Sequence, residues 1–456
     1  MPSEQVWLFI YAESILLIKI KQLQHKMYST PTGKSNYLRS MKEMTRKDIK
    51  ITIRQKLWEK AVKKAMSEFQ FVHTITDALN AILLLSLYKV RIKHRRTDNI
   101  FLSYSNITEM TSDTYISFTI EIIGELLDEA KKNNPNETYS IIIESALADY
   151  IVLPTHFYTD NLSPIYTIVG SKNNTMQKAT ASAIEFMNLN HEQMTLVDAC
   201  CATGSLYFGL NTYNWKSVIL NDLNPLRTNM LNVIKHQPLK LIKSILSSPV
   251  FSNKEYLSEY MTEAHSITKG YEVKRQHYHK IDCNIDIDIA TMTFIFQCVS
   301  KQYPEDNNKI LNRITRIIPA SIKLQNAIIT QEDCLKYLDN DNNKFVLLDV
   351  PYIGSEYICS AKGFNYTRFH KNIADKLLNA EYPFLYYCRS TPPKANNPYN
   401  RQDAIHIQKL KLAEHFFNKG FYFEKFYLNE DTELIISNRQ YSDNQFQWND
   451  EEQIII

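Results

Sequence analysis

From about residue 160 onward, short apolar runs of strand length alternate with segments whose apolar residues recur at helical spacing. This alternation predicts an α/β fold, because parallel strands are joined by crossover connections that are usually helices. The predicted strands are 195–197, 217–220, 327–330, 345–348, 384–387 and 434–436, and the predicted helices between them are 175–187, 225–236, 369–380 and 402–417.

The rest of the chain divides into two further parts. Residues 1–155 have helical periodicity, with helices predicted at 57–69, 78–88, 118–132 and 139–152, and form a basic helical N-terminal domain or arm. Residues 237–326 interrupt the alternation and are interpreted as an inserted region, which leaves 156–236 and 327–456 as the sheet domain. The first 100 residues hold 19 Lys/Arg against 8 Asp/Glu, although the whole chain has a net charge of only +3. Such a basic end suits a polyanionic partner, and it suits an ordinary solvated helical face equally well.

Several classes of protein are disfavoured. The seven cysteines are odd in number and contain no Cys-x-x-Cys, which favours a reducing compartment and disfavours a zinc ribbon. The apolar stretch 6–20 is short for a membrane span, and no basic segment precedes it as in a signal peptide. We therefore expect a soluble, cytoplasmic protein without membrane association.

A strand followed by a turn of small residues lies at 196–205, with the sequence LVDACCATGS. Small residues let a ligand approach the backbone, and the amides at the start of the following helix can face its polar groups. Asp222 ends the next predicted strand, where a carboxylate can accept hydrogen bonds from ribose hydroxyls. By itself this pattern arises by chance as often as not, and it fits NAD as well as other nucleosides. The absence of Gly-x-Gly-x-x-Gly, the motif typical of nicotinamide enzymes, disfavours NAD.

A second constellation is the buried strand that ends in Asp349-Val350-Pro351-Tyr352. An exocyclic amine of a nucleobase needs acceptors for its two hydrogens while its lone pair faces an electrophile. The Asp349 carboxylate and the Val350 carbonyl can supply them, and the Tyr352 ring can stack on the base. A carboxylate that caps a turn beside a core tyrosine is the alternative interpretation.

These motifs resemble those of the Dam-like, D12-class adenine-specific DNA methyltransferases, which use S-adenosylmethionine. The likeness rests on four segments in the family's order, with supporting likenesses at 311–333 and 433–438, and covers about 165–440. The four segments are Ile168-Val169-Gly170-Ser171-Lys172, Asp198 to Ser205, Asn221-Asp222-Leu223-Asn224-Pro225 and the tetrapeptide at Asp349. The resemblance implies a doubly wound, Rossmann-like methyltransferase sheet and transfer of a methyl group to the N6 amine of a flipped-out adenine in DNA.

Roles for individual residues follow from the resemblance. Asp349, Val350, Pro351 and Tyr352 would form the catalytic tetrapeptide. The cofactor would be held by Asp349 and by eight further residues or positions, with Asp222 on the ribose, Asp198 and Gly204 on the methionine side and Asp333 near the adenine. Those eight are Ile168, Gly170, Lys172, Asp198, Cys200, Gly204, Asp222 and Asp333.

The chain departs from the family's pattern at three places. Ile168 replaces an aromatic residue, Cys200-Cys201-Ala202 replaces Phe-x-Gly, and Val350 replaces a proline. Ala202 fits the turn only if its φ is negative, because a positive φ favours glycine. Val350 still offers its main-chain carbonyl. An RNA adenine methyltransferase and a catalytically inactive relative that binds S-adenosylmethionine or DNA are the alternatives.

Target recognition is assigned to the inserted region 237–326, whose densest basic cluster is 273–280. Its side chains Lys274, Arg275, Gln276 and Lys280 suit purine edges and phosphates. His277 and His279 lack an evident third ligand, so no metal is predicted. The segment 368–371, which begins with Arg368, either clamps the displaced strand or simply begins a helix. The expected partners are double-stranded DNA and a restriction endonuclease, and the protein is expected to be a monomer.

Overall fold

The computed structural model describes residues 47–93, 114–122, 124–166, 172, 174–248, 266, 285–299, 307–351, 366–389, 421–428, 431–443 and 446–447. Two sheets lie in this part of the chain, one of two strands and one of eight. Their strands are β1 (Lys47–Arg54), β2 (Tyr115–Ile122), β3 (Thr195–Asp198), β4 (Ser217–Asn221), β5 (Ala327–Thr330), β6 (Lys344–Leu348), β7 (Phe384–Arg389), β8 (Tyr422–Leu428), β9 (Asp431–Ser437) and β10 (Phe446–Gln447).

The eight-stranded sheet has the order β10-β8-β9-β7-β6-β3-β4-β5. Strands β5, β4, β3, β6 and β7 are parallel, whereas β9 is antiparallel to both of its neighbours and β10 is antiparallel to β8. This mostly parallel, mixed sheet confirms the predicted α/β class. The strand order reverses between β3 and β6, and ligands of open α/β sheets bind outside the carboxyl ends of the strands at such a switch point.

The described helices have the bounds α1 (Gln55–Glu68), α2 (Ile75–Lys93), α3 (Gly124–Asn133), α4 (Tyr139–Val152), α5 (Thr155–Thr159), α6 (Asn174–Met187), α7 (Ser205–Gly209), α8 (Pro225–His236), α9 (Pro238–Leu246), α10 (Ile287–Val299), α11 (Asn307–Ile314), α12 (Ile317–Leu324) and α13 (Tyr366–Leu377).

Local sequence explains the start of α8, because Asn224 caps it by accepting from the Leu226 amide at 2.9 Å and Pro225 occupies the first turn. The helix follows the bounds that the sequence predicts.

The central strands separate two apolar cores. All five residues of β6 are buried, with Phe345 and Leu347 in one core and Val346 and Leu348 in the other. Alternate side chains of a strand point to opposite faces, so a strand that is covered on both faces is apolar throughout. The second core contains residues of α13, whereas the first contains residues of α2, α8, α9 and α12.

The N-terminal part is less purely helical than predicted. Residues 118–122, which the sequence analysis assigns to a helix, belong to strand β2, which pairs antiparallel with β1 along eight residues. The helix begins only at Gly124. Helix α2 contacts α5, α9 and α12, so the N-terminal part and the large sheet share one continuous core.

Most of the described part of 237–326 is helical. Helices α9, α10 and α12 pack with α8 over the first core, and α12 leads into β5. The recognition role of this region stays a prediction, because the basic cluster 273–280 lies outside the described residues. The predicted helix 402–417 lies outside them too. No helix in the described ranges is long and apolar enough to cross a membrane.

Candidate functional site

The loop after β3 is held in a conformation that suits close approach to a ligand. Gly204 has a φ of +71°, and a Cβ there would lie 2.8 Å from a ring carbon of Phe208, so the position requires glycine. Ala202 has a φ of +51°, so the condition for an unstrained alanine in this turn, a negative φ, is not met. The Ala202 amide donates to Asp222 Oδ2 at 2.8 Å, and this bond helps to hold the left-handed conformation.

Asp222, at the end of β4, ties the neighbouring loops together. Its Oδ1 accepts a hydrogen bond from the Asn224 amide at 2.8 Å. Its Oδ2 accepts hydrogen bonds from the Arg227 guanidinium at 3.1 Å and from the Ala202 amide. The carboxylate is buried. Because a carboxylate has about four acceptor positions, a ribose at this place would share Asp222 with Arg227.

Asp198, the last residue of β3, carries a buried carboxyl group. Neither of its carboxylate oxygens has a hydrogen-bond partner among the described residues. Burial raises the pKa of this carboxyl well above its usual range, and the charges of Asp349 and Asp222 raise it further. A ligand with an ammonium group would satisfy both oxygens, since a buried carboxylate is stable only when it is paired or hydrogen-bonded.

Lys172 brings three distant segments of the chain together. Its Nζ lies 2.8 Å from Asp349 Oδ1 and 3.4 Å from Glu433 Oε1, and its side chain is buried. The same ammonium lies 5.6 Å from the centroid of the Tyr387 ring, within the range of a cation–π contact. The charge of Lys172 is thereby balanced inside the protein, and the Asp349 carboxylate is fixed at the switch point.

The turn after β6 carries Asp349, Val350 and Pro351 at the carboxyl edge of the sheet. Val350 is buried, and the carbonyl oxygen of Pro351 is 2.9 Å from His370 Nε2. The next residue of the tetrapeptide, Tyr352, lies outside the described residues, as do Ile168 and Gly170.

Asn221 connects the ends of three parallel strands, a role that the sequence analysis does not assign. Its side-chain amide donates to the carbonyls of Ala199 and Glu332, each at 2.9 Å, while its oxygen accepts from the Glu332 amide and from Thr330 Oγ1. The motif in which it precedes Asp222 is a signal, but its partners come from loops more than 20 residues away.

Cys200 and Asp333 lie at the β5 side of the site. The Cys200 thiol hydrogen-bonds to Cys334, and this bond together with burial raises its pKa well above the usual range. Asp333 is exposed and caps a short 3₁₀ helix, Cys334–Leu338, by accepting from the Leu335 amide at 2.9 Å.

The predicted residues that the structure describes fall into two groups. Most of the predicted cofactor and catalytic residues converge on the carboxyl ends of β3, β4 and β6, namely Lys172, Asp198, Cys200, Gly204, Asp222, Asp349, Val350 and Pro351. Arg368 is instead exposed on α13. Lys274, Arg275, Gln276 and Lys280 lie outside the described residues. Within the described ranges, no group of three or more His, Cys, Asp or Glu side chains is placed to hold a metal ion.

In open α/β sheets, a glycine-dependent loop after one strand and an acidic residue after the next are typical of the places where nucleoside cofactors bind, at the switch point of the strand order. Residues 185–380, less than half of the chain, match the family model of the D12 class N6 adenine-specific DNA methyltransferases. The match confirms the resemblance found in the sequence, and it includes the motifs at Asp198, Asn221 and Asp349. Lys172 and Glu433 lie outside it. No curated protein matches the chain.

The family implies S-adenosylmethionine-dependent methylation of adenine N6 in DNA. The mixed, mostly parallel sheet is consistent with a methyltransferase fold.

Proposed function

We propose that this protein transfers a methyl group from S-adenosylmethionine to the N6 amine of adenine in double-stranded DNA, with the target base flipped out. The observation that carries the proposal is the Lys172–Asp349 ion pair at the β3/β6 switch point, beside the carboxylate of Asp198, which has no hydrogen-bond partner among the described residues. This arrangement lies within, or directly contacts, the segment that matches the adenine methyltransferase family.

The residues present fit the cofactor. Asp198 would accept hydrogen bonds from the ammonium of the methionine moiety, and the Cβ-free backbone at Gly204 would allow close approach. Asp222 would bind the ribose next to Arg227, with Cys200 and Asp333 toward the adenine. Ile168, Gly170 and Lys172 complete the proposed cofactor contacts. The bound cofactor supplies an electrophilic methyl group on a sulfonium.

The chain's own groups would position and stabilise the amine. The Asp349 carboxylate and the Val350 carbonyl would accept its two hydrogens, which directs its lone pair toward the methyl group. The nitrogen would become cationic as it bonds to the methyl carbon and the bond from that carbon to the sulfonium sulfur breaks, so the carboxylate would stabilise charge that is absent from the ground state. The released proton would pass to Asp349 or to water, while Tyr352 would stack on the base.

DNA recognition would involve the inserted region and helix α13. Lys274, Arg275, Gln276 and Lys280 would contact base edges and phosphates, and exposed Arg368 lies on the helix that follows the catalytic turn. A monomeric state, a cytoplasmic location and a restriction endonuclease as partner complete the proposal.

A methyl-transfer assay with matched variants tests this function. The full chain is incubated with methyl-tritiated S-adenosylmethionine and either a mixed-sequence DNA duplex, a poly(dG)·poly(dC) duplex or RNA. We expect label only in the adenine-containing DNA, recovered as N6-methyldeoxyadenosine after digestion. Asp349→Ala should reduce the rate by about a hundredfold or more, whereas Asp375→Ala, which removes an exposed acid of α13, should leave it unchanged.

Two outcomes would contradict the proposal. Label that enters RNA but not DNA would assign a different substrate. Cofactor binding, measured by calorimetry, without transfer to any of the three polymers would indicate a binding protein rather than an enzyme.

A further inference from the structure

His370 is a buried histidine with both ring nitrogens in hydrogen bonds. It lies on α13, where its Nε2 is 2.9 Å from the carbonyl oxygen of Pro351 and its Nδ1 is 3.0 Å from the hydroxyl of Tyr386 on β7. Of the two alternatives for 368–371, a strand clamp and part of a helix, the helix agrees with His370, because this residue lies in α13 and only about 3% of it is exposed.

The partners determine which nitrogen carries the proton. A carbonyl oxygen can only accept a hydrogen bond, so Nε2 of His370 must be protonated and donate to Pro351. In the neutral ring, Nδ1 is then an acceptor, and the Tyr386 hydroxyl donates to it. Burial lowers the pKa of His370 to about 4, with the Pro351 carbonyl acting weakly in the opposite direction, so the ring is neutral at physiological pH.

The groups around this pair hold Tyr386 in its donor role. Burial raises the pKa of Tyr386 well above its usual range, and Cys388, Cys334 and Asp349 raise it further. The hydroxyl therefore keeps its proton, which it directs to His370. A chain of hydrogen bonds therefore runs from β7 through α13 to the catalytic turn.

The turn needs such an external donor. Pro351 has no N–H, so it cannot donate a backbone hydrogen bond within the turn. The carbonyl that His370 holds belongs to the peptide unit between Pro351 and Tyr352, and fixing this unit fixes the direction in which the chain leaves the turn. An error of about 1 Å in such a position can reduce a rate on the order of a hundredfold.

We propose that His370, with its tautomer fixed by the Pro351 carbonyl and the Tyr386 hydroxyl, is a positioning residue that fixes the Asp349–Pro351 turn for methyl transfer. This inference rests on the proposed function. His370 does not touch the reacting atoms; it acts through the Pro351 carbonyl on the Val350 carbonyl and the Asp349 carboxylate.

Four variants separate positioning from stability. His370→Phe removes the donor to Pro351, whereas His370→Gln places an amide N–H close to the former Nε2. Tyr386→Phe removes the donor to Nδ1, so that only the Pro351 carbonyl still favours the Nε2–H tautomer. Tyr382→Phe is the matched control, since it also deletes a fully buried hydroxyl, which bonds to the Leu338 carbonyl away from the turn.

The steady-state kinetics should show a loss in kcat rather than in KM. We expect His370→Phe to lower kcat by about 10- to 100-fold, with KM for S-adenosylmethionine within about threefold, and His370→Gln to recover most of the loss. Tyr386→Phe should lower kcat by several-fold, and Tyr382→Phe should lower only Tm. Equal kcat in His370→Phe and Tyr382→Phe, or a loss that Gln does not relieve, would overturn the proposal.

A spectroscopic measurement tests the geometry without relying on methyl transfer. In protein with ¹⁵N-labelled histidine, His370, assigned by its absence in His370→Gln, should give the neutral Nε2–H pattern from pH 7 to pH 5. In Tyr386→Phe the pattern should shift toward a mixture of tautomers. An Nδ1–H pattern, or a charged ring at pH 6, would overturn the inference, whereas an absence of methyl transfer by the wild type would contradict only the proposed function.

Discussion

The backbone of a single residue, Ala202, stores strain in the proposed cofactor loop. A left-handed conformation costs an L-amino acid about 1–2 kcal/mol, and glycine avoids this cost. Glycine also loses more conformational entropy on folding, which offsets part of the gain. We therefore expect Ala202→Gly to raise the free energy of unfolding by up to about 1 kcal/mol. Urea unfolding followed by circular dichroism measures the change.

The control for Ala202→Gly is the same substitution in a helix. Ala181→Gly in α6 should lower the free energy of unfolding by about 1 kcal/mol, because a glycine in a helix interior is unfavourable. If both substitutions destabilise equally, Ala202 does not have the positive φ on which the prediction rests.

Asp198 should show a conflict between stability and binding. Because its folded-state pKa is raised above the ordinary 3.8, the unfolded chain releases this proton at a lower pH than the folded protein. Stability is then fully retained below about pH 3.8 and falls as the pH rises toward the folded-state pKa. Asp198→Asn removes this penalty, so its gain in unfolding free energy over the wild type should be larger at pH 7 than at pH 4.

The same substitution should weaken cofactor binding. Loss of a charge-assisted hydrogen bond of about 1.5–3 kcal/mol corresponds to a Kd for S-adenosylmethionine that is roughly 10- to 100-fold higher. Asp375→Asn, at an exposed position, is the control for both measurements. An unchanged Kd, or a gain in stability that does not depend on pH, would contradict the role of Asp198.

At the residue scale, sequence motifs identified the acids but not the groups that hold them. Asp198, Asp222 and Asp349 follow predicted strands and were recognisable from local sequence. Glu433 contacts Lys172 from 261 positions away, and His370 gains its role only when α13 packs against β7. Such partners have no local signal, because they are created by tertiary packing.

At the scale of elements, Lys323 of α12 joins three segments around the proposed cofactor loop. Its buried Nζ donates to the carbonyls of Thr159 at 3.0 Å, Phe208 at 3.1 Å and Leu210. Two of these carbonyls lie at the end of α7, the helix that Gly204 opens, and the third ends α5. Lys323 thus supplies hydrogen-bond donors to the free carbonyls at the carboxyl ends of two short helices.

Removal of Lys323 should have a pH-dependent effect on stability. Burial lowers its pKa from 10.5 to about 7, so between pH 7 and pH 10.5 the unfolded state binds more protons than the folded state and stability rises with pH. Lys323→Met leaves buried carbonyls unpaired and should lose about 1–3 kcal/mol. Urea unfolding at pH 7 and pH 9 should show this loss growing, at most by about 1.4 kcal/mol per pH unit.

The control for Lys323 is an exposed lysine. Lys178→Met on α6 should give the same unfolding free energy as the wild type at both pH values. A loss in Lys323→Met that is the same at pH 7 and pH 9 would show that the folded-state pKa is not lowered.

The strands and helices of the sheet domain were more predictable than those of the N-terminal part. Apolar runs bounded by turn residues gave β5 and α8 with their observed limits, since both follow local patterns. Strand β2 was assigned to a helix because a short apolar segment does not reveal its period clearly. Only its pairing with β1, about 65 positions earlier in the chain, makes it a strand.

At the scale of the whole molecule, α2 connects the N-terminal part to the large sheet. Residues 78–85 of this helix are all buried, including its one polar residue there, Asn80. A helix that is apolar on every side must be covered on every side. The N-terminal helices cover one side and helices α5, α9 and α12 cover the other.

This shared core predicts cooperative unfolding. Leu84→Ala in α2 and Leu347→Ala in β6 each remove a fully buried side chain and should each cost about 2–5 kcal/mol. Because both side chains belong to one core, both variants should lower the Tm of the same calorimetric transition by a few degrees. A transition that shifts in Leu84→Ala while a second, separate one shifts in Leu347→Ala would mean that the N-terminal part is an independent domain. Met66→Ala, at an exposed site on α1, should shift neither, since it buries no apolar surface in that core.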